Sequence, residues 1–172
     1  MGETWDLILR VVHIFCGVFW AGAAMLMAGF VSPAIRASGP EGGKFMQQLM
    51  GPRRLSTFMS LSGILTVVAG AIMLWRLSNG NLASWFAPGY SASIAIGSLA
   101  GIIALVSGHL VQAPTAKKLA RIGKELQAAG GPPKPEQLAE VALLQKRLWR
   151  GVQAGAILLA IAVLTMAAAR AL

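Results

Sequence analysis

The sequence predicts an all-α polytopic membrane protein: a bundle of four transmembrane helices with a helical hairpin extension on its cytoplasmic side. Three observations predict it. First, 56% of the 172 residues are hydrophobic and only 12% are charged, and the mean hydropathy is +0.65, too apolar for a water-solvated domain of this length. Second, a bilayer core about 30 Å thick needs about 20 apolar residues per helix. Four uncharged runs of that order occur, Val11–Ile35, Leu55–Trp75, Tyr90–Ala113 and Gly151–Ala169. Third, the basic residues sort by loop. No room is left for a fifth span, so one integral membrane domain uses residues 1–172.

The spans are expected at about 8–35, 55–76, 90–113 and 148–170, with the hairpin at 114–147. The opening Met1-Gly2-Glu3-Thr4-Trp5-Asp6 is acidic where a secretory signal is basic, and the first apolar run is too long for a signal core, so it reads as retained. Asp6 stands where the myristoylation pattern needs Ser or Thr, despite Gly2. Trp5 precedes this span as an interfacial ring. Ser38-Gly39-Pro40 interrupts the chain on the inner side, and Phe45, Met46, Leu49 and Met50 then recur at helical spacing, as in a short amphipathic helix on the membrane surface. Ser78-Asn79-Gly80-Asn81 is a turn after the second span, and Pro88-Gly89 closes a short outer loop bracketed by Trp75, Trp85 and Tyr90. Beyond Pro114, Leu119, Ile122 and Leu126 continue the third helix past the lipid. Gly130-Gly131-Pro132-Pro133 breaks it, and Pro135 and Glu136 suit the first turn of a helix that runs through Leu138, Val141 and Leu148 into the fourth span.

The formal net charge is +9. Arg36, Lys44, Arg53 and Arg54 lie between the first two spans. Lys117, Lys118, Arg121, Lys124, Lys134, Lys146, Arg147 and Arg150 precede the last, and only Arg10, Arg76 and Arg170 lie elsewhere. The positive-inside rule places both basic segments in the cytoplasm and both termini in the periplasm of a bacterial inner membrane. Charge sorted in this way points to the lipid bilayer as partner and not to nucleic acid. The single cysteine, Cys16, excludes an internal disulfide.

Small residues show how the bundle closes: Ser62, Thr66 and Gly70 on the second span, Gly97, Gly101, Ala104 and Gly108 on the third, and Gly151 and Gly155 on the fourth. Backbones approach closely along such stripes, within one protomer or between protomers of a homo-oligomer.

Ionisable groups are costly in lipid and are functional candidates by default. His13 shares a helical face with Gly17 and Trp20, a ligand followed by a gap and an aromatic wall; the bland alternative is a neutral histidine bonded to a neighbouring carbonyl. His109 sits near the cytoplasmic interface with Gln112 below it and Gln153 and Arg150 within reach from the fourth span. Both histidines on one heme iron would resemble a membrane cytochrome b, but the offsets from mid-span are roughly 16 and 10 Å in parallel helices, which separates the rings by about 20 Å or more. At the depth of His13 stand Met73 and Met166, with Cys16 one turn along. Two readings follow: heme on His13 with either thioether as sixth ligand or that position open, or a soft copper site of thioether, thiol and imidazole. No carboxylate lies within a span, and there is no phosphate-cradling loop or HExxH pattern.

The first helix, His13-Ile14-Phe15-Cys16-Gly17-Val18-Phe19-Trp20-Ala21-Gly22 running on to Pro33, resembles the opening helix of a loose superfamily of small four-helix bacterial membrane proteins. Its members include the J-type protoporphyrinogen oxidase, which binds heme b, and the copper-resistance D-like proteins. Pro52-Arg53-Arg54-Leu55, leading into the helix that contains Gly70, and Ser107-Gly108-His109 extend the resemblance. It implies that His13 is the first-helix heme ligand and that His109 matches the family's third-helix histidine. The sequence lacks an intramembrane lysine and an aromatic residue before His109, and the hairpin after Pro114 is extra, so fold and heme carry over and the oxidase reaction does not. The leading expectation is a redox-linked heme b protein that exchanges electrons with a membrane partner or quinone. A copper-handling or small-solute membrane protein is the second, and a non-catalytic subunit or assembly factor of a larger complex the third.

Overall fold

A computed structural model describes residues 2–51, 53–81 and 90–169. Trp85, Pro88-Gly89, Pro52 and Arg170, which figure in the sequence reading, lie outside the described residues. The described residues are almost all helical: α1 (Gly2–Leu26), a π-turn (Met27–Val31), α2 (Ser32–Ala37), α3 (Gly39–Met50), α4 (Leu55–Leu77), α5 (Tyr90–Ser107), a second π-turn (Gly108–Gln112), α6 (Ala113–Ala129) and α7 (Pro135–Ala168). Read through the π-turns, these form four rods long and apolar enough to cross a membrane: Glu3–Ala37, Leu55–Leu77, Ala92–Ala129 and Pro135–Ala168. The protein is a helical membrane bundle.

Its burial pattern shows lipid as the intended solvent. The buried apolar residues are mainly alanines, among them Ala21, Ala24, Ala28, Ala69, Ala100, Ala104, Ala156 and Ala162, while Phe15, Val18, Phe30, Leu110 and Leu164 are exposed. Helices that must exclude lipid without a hydrophobic driving force between them put small residues at their contacts and bulk outside. Trp20 is the largest exception, 8% exposed in a core with Ala21, Ala24, Ala104 and Leu159.

Two antiparallel pairs make the closest contacts, α1 with α4 and α5 with α7. In the first, His13 meets Gly70, Gly17 meets Thr66 and Trp20 meets Gly63. Steps of four and three along α1 are matched by the same steps back along α4, so one register fits each large side chain into a small partner. In the second pair Gly97 receives Met166, and Gln112 packs over Gly151. Fifteen residues forward on one rod match fifteen back on the other.

Both π-turns end two residues before a proline, Pro33 and Pro114. Proline lacks an N–H and its ring clashes with the carbonyl four residues earlier. A widened turn relieves that clash: Ser32 N–H bonds Met27 O and Ala113 N–H bonds Gly108 O, each spanning five residues. The rods therefore continue through their prolines. The carbonyl of Ala28, in the first π-turn, accepts the Gln153 side-chain amide at 2.8 Å, joining the first rod to the fourth.

Past the apolar zone α6 and α7 form the expected hairpin, closed on Thr115, Ile122 and Leu144 and by Lys118 Nζ–Glu140 Oε1 at 2.6 Å. Gly130, with φ +64°, ends α6 in the left-handed conformation that glycine adopts without strain. Lys134 N–H donates to Gln137 Oε1 at 3.0 Å to start α7.

Candidate histidine site

His13 lies two turns before the core residue Trp20, where α1 crosses Gly70 of α4. Its Nδ1 is 2.8 Å from Thr66 O. In a helix that carbonyl already serves the N–H of residue 70, but a carbonyl oxygen has two lone pairs and takes both donors. Gly70 makes the second bond geometrically accessible: a Cβ there would stand 2.8 Å from His13 Cε1 and 3.0 Å from Nδ1. A carbonyl can only accept, so Nδ1 carries the proton and Nε2 of the neutral ring keeps its lone pair. No hydrogen bond to Nε2 occurs among the described residues. Thr66 turns its own hydroxyl back to Ser62 O at 2.7 Å and presents its methyl to Gly17.

His109 is committed at both nitrogens. Its Nδ1 donates to Leu105 O, one turn back on the same rod, at 3.0 Å, and Ser60 Oγ lies 3.1 Å from Nε2 as the donor to it. Its partner across the helix contact is thus Ser60 of α4, not Gln153, which is turned to Ala28 O. Gln112 donates to Gly151 O at 3.0 Å. The two histidines are anchored to α4 at residues six apart, about 9 Å of helical rise, and approach it from different rods.

The remaining candidate residues divide between the two helix pairs. Gly17 lies under Thr66, with the threonine methyl 3.4 Å from where a Cβ would be, and Trp20 is packed on Gly63 and Leu105. Both are occupied in closing α1 on α4. Met73 is half-buried one turn beyond Gly70, whereas the Met166 side chain lies against Gly97 in the other pair. Cys16 is a half-buried free thiol, and the described residues hold no cluster of three His, Cys, Asp or Glu side chains. An apolar groove of about 410 Å³ runs elsewhere, between the end of the first rod and α3, lined by Phe30, Ala34, Ile35 and Phe45.

Near the end of α4 that lies beyond Gly70, Arg76 Nε meets Asp6 Oδ1 at 2.8 Å across the same α1–α4 contact. The sequence reading did not find this pair, Ser60 or the acceptor role of Thr66. A polar stripe of Ser62, Thr66 and Gly70 on α4 was the available signal, since only a face turned to another helix tolerates such residues in lipid.

Fold and site define a four-helix membrane bundle with one imidazole held by a main-chain carbonyl and open at its other nitrogen. No known protein family, curated protein or solved structure matches the chain.

Proposed function

We propose that the protein is a redox-linked, heme b-binding protein of the bacterial inner membrane, with His13 as an axial ligand and with its basic segments in the cytoplasm. The observation that carries this reading is the contrast between the two rings: His13 has one nitrogen bonded to Thr66 O and the other uncommitted, while His109 has both engaged. Metal-binding histidines nearly always donate their second N–H to a carbonyl or carboxylate, which fixes the tautomer and raises ligand basicity. Thr66 supplies that carbonyl and Gly70 the access to it.

The fit lies in the ligand atom. Gly17 and Trp20 serve the reading indirectly, by holding α1 in the register that presents His13 to Thr66. When bound, a b-type heme would supply one-electron chemistry. The chain's part is to fix the imidazole through Nδ1, leave Nε2 without a hydrogen-bond partner among the described residues and surround the ring with a low-dielectric medium.

The test is a reduced-minus-oxidised spectrum of protein purified after expression with ample heme. Wild type should show a b-type spectrum, His13→Ala should lose it, and His109→Ala should keep most of it; circular dichroism and gel filtration establish that each variant is folded. A colourless wild type, or loss only in His109→Ala, would overturn the proposal. Copper in the colourless protein would replace it with the soft-metal reading, and a co-purifying partner complex with the subunit reading.

A further inference from the structure

At the basic end of the bundle the cations are unevenly compensated. Arg36, at the end of the first rod, stacks its guanidinium over the Trp149 ring of α7, 5.1 Å from the centroid. On α7, Lys146 and Arg150 are one turn apart and share the face beside Trp149. By the register that sets Gln112 over Gly151, Lys117 on α6 stands at the same height as Lys146. None of Arg36, Lys117, Lys146, Arg147 or Arg150 has an acidic partner among the described residues. Lys118 instead reaches outward to Glu140, and Arg121 pairs with Glu125 farther along the hairpin. Lys124 and Lys134 farther along the hairpin, and Arg53 and Arg54 before α4, also lack an acidic partner among the described residues, but Arg36, Lys117, Lys146, Arg147 and Arg150 gather within about two turns past Gln112, the level where the apolar zone ends and phospholipid headgroups begin. Trp149 is half-buried at that level, an amphipathic ring at the lipid–water boundary.

We propose that this end of the bundle holds an anionic phospholipid whose phosphate is bound by Arg36, Lys146 and Arg150 beside Trp149. Arg36 and Trp149 are already ordered by their stacking, so a phosphate would add charge-assisted hydrogen bonds to a side chain that has surrendered its rotamer freedom. Like-charge repulsion among Arg36, Lys146 and Arg150 falls when an anion sits between them, which selects an anionic lipid over a zwitterionic one. The site is independent of His13.

The experiment uses the full chain in phosphatidylcholine bilayers, with brominated phosphatidylglycerol or brominated phosphatidylcholine as quencher. The part of the tryptophan quenching that disappears in Trp149→Phe reports this site. Wild type should favour phosphatidylglycerol, and each basic residue near an anionic headgroup is worth about a fivefold preference. Lys146→Gln should therefore lower the preference about fivefold, and Lys146→Gln with Arg150→Gln about twenty-five-fold, leaving the share of Arg36. Lys134→Gln, at the far end of the hairpin, should leave it unchanged; the three positions are exposed and support no packing. Equal quenching by both lipids in wild type, or an equal loss in Lys134→Gln, would overturn the site. Loss of the preference on adding inorganic phosphate at constant ionic strength would also overturn it, by showing a site for free phosphate.

Discussion

Replacing Gly70 by alanine tests how His13 is held. The new Cβ would lie 2.8 Å from His13 Cε1, and an ordinary contact begins at 3.4 Å, so the ring must withdraw by about 0.6 Å. The Nδ1–H to Thr66 O bond starts at 2.8 Å, and a comparable displacement takes it past the usual limit of about 3.2 Å. An interhelical hydrogen bond in lipid is worth about 0.6 to 1.7 kcal/mol, and overpacking adds roughly 1 to 3 kcal/mol. The better helix propensity of alanine returns up to about 1 kcal/mol. A net loss of about 1 to 4 kcal/mol is expected. His13→Ala removes the same bond and leaves a hole over residue 70, which an alanine at that position partly fills. The two substitutions should therefore be non-additive, with the double variant about 1 to 2 kcal/mol more stable than the sum of the singles. Reversible unfolding of the four proteins in mixed micelles measures the cycle. Additivity within about 0.5 kcal/mol would refute the claim that His13 is seated on Gly70.

Two more predictions rest on the same packing and on the distribution of charge. Gly63→Ala would place a Cβ 3.0 Å from both Trp20 Cε2 and Leu105 Cδ1; the rigid indole sits in the core, so a loss of about 1 to 2 kcal/mol is expected in the same unfolding assay, and little loss in a Trp20→Leu background. Cysteines introduced at Gly131 and Asn79 into a Cys16→Ala protein lie at opposite ends of the bundle. A membrane-impermeant thiol reagent should label the Asn79 variant in intact cells and the Gly131 variant only after lysis; the reverse pattern would invert the orientation.

The sequence by itself determined the four rods, the short helix α3 and the basic helical hairpin. Each depends on local facts: run length against bilayer thickness, proline and glycine as punctuation, and the uneven placement of Lys and Arg. It also singled out His13, because an ionisable side chain in an apolar run stands out without any knowledge of its neighbours. The continuation of helix past Pro33 and Pro114 was legible from the apolar pattern, but the π-turns that permit it were not, since a proline in sequence marks equally a break and a widened turn. Tertiary structure alone decided what each histidine touches. The register of α1 on α4 puts His13 on Gly70 and within reach of Thr66 O, fills the gap at Gly17 with a methyl group and draws Trp20 into the core. It equally sends His109 to Ser60 and Gln153 to Ala28. The periodicity of one helix gives the face of a side chain but not the residue opposite; that follows from close packing between two helices, where a shift of one turn would set His13 against a different partner.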